Sequence, residues 1–313
     1  MAKVRLALLV GGRSSERAVS LASGQNVLAA LNKERYQVEV FDPADELGEL
    51  AARSGEIDVV FPVLHGAAGE DGSIQGFLNL LNLPFVGSGV LASAVCMDKQ
   101  VTKDVYRKWQ LPVAPDLLCL KSKAAAREQA EEIGRLLSYP AVIKPMDQGS
   151  SVGLTIARNE AEGQAALEAA WKYSPRAMAE KFISGRELTV GVLGNERLKV
   201  LPPVEIIPAE GHRFFDYDAK YTPGQAQEIC PAPLTAEETA TVCQLALKAH
   251  EALGCRGLSR TDFIYSQNAF CLLETNTLPG LTENSLLPKA ALAAGLSFSA
   301  LLDTLIDLAL DLG

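Results

Sequence analysis

The first 95 or so residues alternate strand-like and helix-like patterns, and this alternation limits the fold more than any other feature. Leu6 to Val10 is a short apolar run, and Glu16 to Leu31 carries a helical pattern. Val38 to Phe41 and Val59 to Val63 are apolar strands, Ser73 to Leu81 is helical, and Phe85-Val86 is a brief strand. Strands separated by helices make a parallel sheet with helices on both faces. Ligands of such sheets sit at the carboxyl ends of the strands. The loops expected there are Gly11-Gly-Arg-Ser-Ser-Glu16 and His65-Gly-Ala-Ala-Gly-Glu-Asp-Gly72.

From about residue 96 the pattern changes to a compact α+β unit. Helices are expected over 97–109, 123–137 and 160–171, with strands at Ala141 to Ile143 and Ala177 to Ile183. The remainder holds strands at Glu187 to Leu193 and Leu198 to Ile207, then a helix over 236–253. Two helices close the chain, Leu286 to Ala294 and Ser297 to Leu312. The stretch 208–234 is rich in Gly, Pro and aromatic residues and is expected to be irregular; a loop that long is usually functional. The expected division is 1–95, 96–185 and 186–313, which suits 313 residues of which 48% are hydrophobic.

Charge and cysteine usage remove several classes. A net charge of −9 makes bulk nucleic-acid binding a poor fit. No run of 18 uninterrupted apolar residues occurs, so no membrane span is expected. The opening segment reads as a buried strand rather than a secretory leader, because Gly11-Gly12-Arg13 stands where a small-residue cleavage site belongs. The six cysteines include no Cys-x-x-Cys pair and lie in apolar segments, so reduced thiols in a cytosol are expected.

The densest chemistry lies in Arg260-Thr-Asp262-Phe-Ile-Tyr and Phe270-Cys-Leu-Leu-Glu274-Thr-Asn276, two apolar runs around a short polar turn. They read as a hairpin. Side chains alternate faces along a strand, so Glu274 and Asn276 share one. A loop of Gln267 to Ala269 sets Asp262 opposite Glu274 and Arg260 opposite Asn276. That face then carries three oxygen donors suited to Mg²⁺ beside substrate phosphates, plus a guanidinium. A one-residue slip would undo it; a solvated hairpin with scattered polar residues is the plain alternative.

Other motifs are weaker singly. Gln148-Gly-Ser150-Ser151-Val152-Gly153 follows a strand ending in Lys144, which suits a phosphate-binding loop as well as an ordinary hairpin turn. Gly87-Ser-Gly89-Val-Leu-Ala92 fits a dinucleotide fingerprint but lacks the acidic residue required further on. Glu180-Lys181-Phe-Ile183 with Glu187 reads, unaided, as an edge strand with surface acids; its other use is to pair adenine with backbone and hold ribose hydroxyls. His65 is a loop cap or a substrate-orienting imidazole. Glu16 is favoured at a helix start by the helix dipole, and could equally hold an ammonium group. Asp216-Tyr-Asp-Ala-Lys220-Tyr221 is surface sequence or a closing lid.

Together these segments resemble the D-alanine–D-alanine ligases of the ATP-grasp superfamily. The likeness runs from Gly11-Gly-Arg-Ser-Ser-Glu16 through Leu64-His-Gly, Met97-Asp-Lys99, Ile143-Lys-Pro, Gly149-Ser-Ser-Val-Gly153 and Asp216 to Tyr221. It ends in Arg260-Thr-Asp262 and Glu274-Thr-Asn-Thr-Leu-Pro-Gly280-Leu-Thr. It implies an α/β, partly α+β, three-domain ATP-grasp fold with a Rossmann-like N-terminal unit and two units that grip ATP. It also implies ligation of two D-alanine molecules through an acyl phosphate, serving peptidoglycan synthesis in the cytoplasm, by a homodimer.

Roles follow from the likeness position by position. Lys99, Lys144 and Lys220 resemble cations on the ATP phosphates, beneath a lid that includes Ser150, Ser151 and Val152. Glu180, Lys181, Ile183 and Glu187 resemble the adenine and ribose site. Asp262, Glu274 and Asn276 resemble ligands of two Mg²⁺ ions, with Mn²⁺ an alternative. Glu16 and His65 resemble the first D-alanine site. Arg260 and the Gly280 N–H resemble an oxyanion hole, and Ser285 and Leu286 the second D-alanine carboxylate site. Ser150, Tyr221 and Glu16 resemble a hydrogen-bonded set that holds the lid. Two alternatives stay open: an ATP-grasp ligase with another acceptor, and a nucleotide-binding regulator without turnover.

Overall fold

The computed structural model describes residues 2–146, 152–208 and 226–311. Its first sheet is parallel: β1 (Val4–Leu9) lies between β2 (Tyr36–Phe41) and β3 (Val59–Pro62). Alternation along β1 explains why both faces are covered. Leu6, Leu8 and Val10 pack with Val27 of α1 (Arg17–Ala30). Ala7 and Leu9 pack on the other side with Leu50 of α2 (Leu47–Ala52) and Leu78 of α3 (Ser73–Leu80). The expected strand at Phe85-Val86 is reduced to one bridge from Phe85 to Val60.

The helix expected over 97–109 is α5 (Lys99–Lys108), and α4 (Val90–Met97), which the sequence pattern does not mark, precedes it. Asp98 makes the break. Its backbone is extended and its carboxylate accepts from the N–H groups of Gln100 and Val101, a side-chain N-cap that starts a new helix. Lys99 and Lys103 therefore stand one turn apart on a helix with a fixed origin.

The middle unit is a four-stranded antiparallel sheet in the order β4 (Asp116–Leu120), β7 (Arg176–Lys181), β5 (Ala141–Pro145), β6 (Thr155–Ala157). Ala141, Ile143, Ala177 and Ala179 bury one face against α6 (Ala126–Leu136) and α7 (Glu160–Ala170). Small side chains let these helices lie close. The alternate residues, Lys144 and Glu180, are thereby turned to the opposite face. The segment holding Glu180 is an interior strand of this sheet, which corrects the edge-strand expectation.

The largest sheet runs β11 (Ala226–Ile229), β10 (Val204–Pro208), β8 (Arg186–Gly194), β12 (Gly257–Ser266), β13 (Ala269–Asn276), with β9 (Lys199–Val200) also on β8. The single strand expected over 198–207 is split around Leu201-Pro202-Pro203, because proline cannot donate to the ladder. β11 supplies regular structure inside the stretch expected to be irregular. On one face Leu188, Val190, Val192, Phe263 and Leu272 pack with Val242 and Ala246 of α8 (Ala236–Ala252) and Tyr106 of α5. The other face takes α9 (Leu286–Ala293) through Leu287. Gly191 permits this: a Cβ there would lie 2.6 Å from Leu287 Cδ1.

The last helix, α10 (Phe298–Leu310), returns to the first sheet. Its Leu301, Leu305 and Ile306 join the cluster holding Leu6 and Leu8, and Arg35 pairs with Asp303 and Asp307 at 3.1 and 2.8 Å.

Candidate active site

The hairpin reaches the expected register by a different route. Its turn has two residues, Gln267 and Asn268, both at positive φ (51° and 61°), which matches the right-handed twist of the flanking strands. A two-residue turn alone would set Asp262 opposite Leu273. A register shift between Asp262 and Phe263 restores Asp262 to Glu274 and Arg260 to Asn276. β8 adds Thr189 beside Asp262 and Gly191 beside Arg260. Glu187 lies two residues before Thr189, on that same face.

Arg260 grips Asp262 with two parallel bonds, Nε to Oδ1 at 2.9 Å and a terminal nitrogen to Oδ2 at 2.8 Å. The Thr189 hydroxyl donates to Asp262 Oδ1 at 2.6 Å. Asn276 Oδ1 accepts the Leu278 N–H at 2.9 Å, which turns the chain toward Gly280. The opposite face of the same strands is structural. Thr261 and Thr275 share a hydrogen bond of 2.7 Å, and Thr275 shares one of 2.6 Å with the Tyr106 hydroxyl.

The donor set fits a magnesium ion. Two carboxylates and an amide oxygen on one face are hard ligands and leave coordination positions for phosphate oxygens and water. Among the described residues no group of three or more His, Cys, Asp or Glu side chains is placed to hold a metal, so any metal here relies on the amide and the substrate as well.

Facing this surface is a deeply buried line of charge. Glu180 Oε2 lies 2.5 Å from Lys144 Nζ, and its Oε1 lies 2.5 Å from Lys103 Nζ. Lys103 is 1% exposed, Glu180 5% and Lys144 8%, so these are interior charges. Lys103 also donates to the Ala114 carbonyl at 2.9 Å and lies 3.1 Å from Asp116, which Arg107 pairs from outside. Burial works to raise the Glu180 pKa, but Lys144 and Lys103 outweigh it and hold the carboxyl down to about 2. Burial likewise opposes the charge on Lys144, yet Glu180 and then Glu274 raise its pKa. Glu274 is thus the member of the oxygen face whose charge acts on the lysine line. The surface acid expected for Glu180 is overturned, and Lys144 is likewise buried. Lys103 was not singled out from the sequence; its place one turn after Lys99 was the available signal.

Lys99 reaches the Met146 carbonyl at 3.4 Å, beside the glycine-rich loop. Asp98 is tied to Arg176 at 2.8 Å. Lys181 is exposed on the side of β7 away from Glu180, while Ile183 and Val152 are half-buried. Ser150, Ser151, Lys220 and Tyr221 lie outside the described residues, as does the expected hydrogen-bonded set of Ser150, Tyr221 and Glu16.

At the carboxyl ends of β1 and β3, Glu16 and His65 are both buried. A Cβ on Gly66 (φ 71°) would lie 2.8 Å from Glu16 Oε2, so only glycine lets the two loops meet. His65 Nδ1 is 3.7 Å from Glu70 Oε1, and its Nε2 is 3.5 Å from Ser23 Oγ. Leu281 and Leu286 join Val10 and Val63 in one apolar cluster, which brings the Gly280 to Leu286 segment against these loops. Ser285 stands at the N-cap position of α9 without a side-chain capping bond, and its hydroxyl shares a 2.7 Å hydrogen bond with Thr282. The Gly87-Ser-Gly89 pattern is a junction: Gly87 accepts from Arg256 Nε at 3.1 Å, and Ser88 Oγ accepts the Arg256 N–H at 3.2 Å.

Comparison with known proteins agrees along the whole chain. The family model described as D-ala D-ala ligase N-terminus matches residues 5–48 and 42–88, and that described as D-ala D-ala ligase C-terminus matches 105–307. A D-alanine–D-alanine ligase from Syntrophobacter fumaroxidans is 52% identical over 309 residues, covering 99% of this chain and 98% of the relative. The structure of a D-alanine–D-alanine ligase from Bacillus anthracis complexed with ATP superposes with a TM-score of 0.85 at 30% identity, covering 99% of this chain and 98% of that one. The VanG D-Ala:D-Ser ligase from Enterococcus faecalis gives 0.85 at 32% identity, covering 98% and 100%. The chain belongs to the D-alanine–D-alanine ligase family.

Proposed function

We propose that this protein joins two D-alanine molecules at the expense of ATP, through an acyl phosphate, and so supplies a dipeptide for peptidoglycan synthesis in the cytoplasm. The observation that carries the reading is the meeting of Lys144 and Glu180 with the Asp262, Glu274 and Asn276 face. Phosphoryl transfer depends on positioning and charge neutralisation, and this arrangement offers both.

The residues divide the work as follows. Lys99 and Lys144 bind the triphosphate, with Lys220 and the Ser150 to Val152 loop above it. Glu180, Lys181, Ile183 and Glu187 hold adenine and ribose. Asp262, Glu274 and Asn276 hold Mg²⁺, which neutralises phosphate charge when bound; Mn²⁺ satisfies the same donors. Glu16 and His65 orient the first D-alanine, whose carboxylate receives the γ-phosphoryl group. Ser285 and the first turn at Leu286 take the second carboxylate, as helix starts do. Its amine attacks the acyl phosphate, and Arg260 with the Gly280 N–H stabilises the oxyanion of the tetrahedral intermediate before phosphate leaves. Ser150, Tyr221 and Glu16 hold the lid shut. The N-terminal unit, residues 1–95, pairs two copies, while 96–185 and 186–313 enclose ATP. Among the described residues no single helix is long and apolar enough to cross a membrane.

A family member that uses D-serine shares the fold, so acceptor choice needs a direct test. A coupled assay of phosphate release with D-alanine alone, and with D-alanine plus D-serine, provides it. Release with D-alanine alone, with D-alanyl-D-alanine as product, is expected. Release only when D-serine is present would assign another acceptor, and no release with either would leave a nucleotide-binding regulator.

A further inference from the structure

We infer that Lys103 is a positioning residue that lets Lys144 leave Glu180 for the nucleotide phosphates. The inference rests on the proposed function, in which Lys144 binds the triphosphate. In this structure Lys144 is not free: its ammonium lies 2.5 Å from Glu180. To serve phosphate it must give up that carboxylate, which is itself almost fully buried. An unpaired interior carboxylate is costly, so Glu180 alone would hold Lys144 back.

Lys103 removes that obstacle. Its ammonium donates to the other Glu180 oxygen at 2.5 Å and is anchored by the Ala114 carbonyl at 2.9 Å. Burial lowers the Lys103 pKa while Glu180 works to raise it, and Asp116, 3.1 Å from Lys103, is itself paired with Arg107. Glu180 therefore has two cations and needs one. When Lys144 moves, Lys103 still compensates the carboxylate. The helix origin at Asp98 fixes Lys103 in this place, one turn beyond Lys99, so both lysines are set by the same cap.

The test compares Lys103→Met in two backgrounds, wild type and Glu180→Gln, by steady-state kinetics and by competition with AMP and adenosine. In the wild-type background Lys103→Met is expected to raise the KM for ATP about tenfold or more, because Glu180 then holds Lys144 alone. The KM for D-alanine stays unchanged, and adenosine, which has no phosphate, competes as before. In the Glu180→Gln background the same substitution changes the KM for ATP by less than about threefold, since no carboxylate remains to hold Lys144. Where Lys103→Met does not fold, Lys103→Gln, which keeps a hydrogen-bond donor toward Glu180 without the charge, takes its place in both backgrounds. An equal ATP penalty in both backgrounds, or equal losses for ATP and adenosine, overturns the inference. If the wild-type protein shows no D-alanine-dependent turnover, the function itself falls; if it turns over and Lys103→Met leaves the KM for ATP unchanged, only the role of Lys103 falls.

Discussion

Two charged regions meet at this site, and they are built in opposite ways. The line of Lys103, Glu180 and Lys144 is almost sealed from water and carries one cation more than its central acid requires. The face of Arg260, Asp262, Glu274 and Asn276 is partly open and carries one acid more than its guanidinium neutralises. The first has a spare positive charge for phosphate; the second has spare oxygen ligands for a metal. They act on each other electrostatically through Lys144 and Glu274. The contrast is one of solvent access, and it sets what each region loses when one partner is removed. Removing a buried partner leaves an uncompensated ion, whereas removing a ligand from the open face leaves a group that water can solvate.

The sharpest break in the comparison is Glu274→Ala. It is expected to lower turnover by about a thousandfold or more, through loss of several kcal/mol of charge stabilisation. The melting temperature should change little, as read by thermal denaturation beside the phosphate assay. Wild-type turnover in this variant would refute the metal assignment. Arg260→Ala comes next. Losing one oxyanion donor costs about 2.7–4 kcal/mol, so kcat should fall on the order of a hundred- to a thousandfold, with ATP affinity falling less. A drop in ATP affinity with kcat intact would contradict the oxyanion role.

The buried line is probed by acid. The Glu180 carboxyl, despite burial, is held at about 2 by Lys144 and Lys103, below its usual 4.5. The ionised form is therefore favoured by folding. Its contribution to stability is complete above about pH 4.5 and is lost as pH falls toward about 2. Asp42, bonded to Arg17, is also held at about 2 and acts in the same window. Denaturation midpoints measured across that range should fall with pH, less steeply in Glu180→Gln than in wild type. An unchanged slope would show that Glu180 is not ionised in the folded protein. The smallest effect belongs to the back of the hairpin. Thr275→Val leaves the Tyr106 and Thr261 hydroxyls short of a partner and should cost about 1–3 kcal/mol in denaturant unfolding, with turnover nearly unchanged. A large loss of turnover would deny the division between the two faces.

Much of this arrangement is legible in the chain, for physical reasons that differ by region. β1 and β3 are read directly, since strands buried on both sides appear as continuous apolar runs, whereas β2 is an edge strand with Gln37, Glu39 and Val40 exposed. Side-chain alternation likewise places Glu274 with Asn276. The loop of the hairpin was misjudged as three residues: a two-residue turn followed by a compensating shift gives the same pairing at Asp262, and sequence does not separate the two. The helix α4 is not legible because Val90 to Met97 is apolar almost throughout and shows no amphipathic period. Lys103 was missed because a lysine on a helix is ordinarily solvated; only the tertiary meeting of α5 with β7 gives it Glu180. Lys144 and Glu180 were noticed, but their pairing joins different strands and no local pattern records it.

The account turns on the oxygen face being a metal site shared with the nucleotide. Titration of Mn²⁺ with a non-hydrolysable ATP analogue, followed by electron paramagnetic resonance, measures this directly. Wild-type protein should take up Mn²⁺ tightly only when the analogue is present, and Glu274→Ala and Asn276→Ala should each lose bound ion. Equal uptake by wild type and both variants would contradict the account.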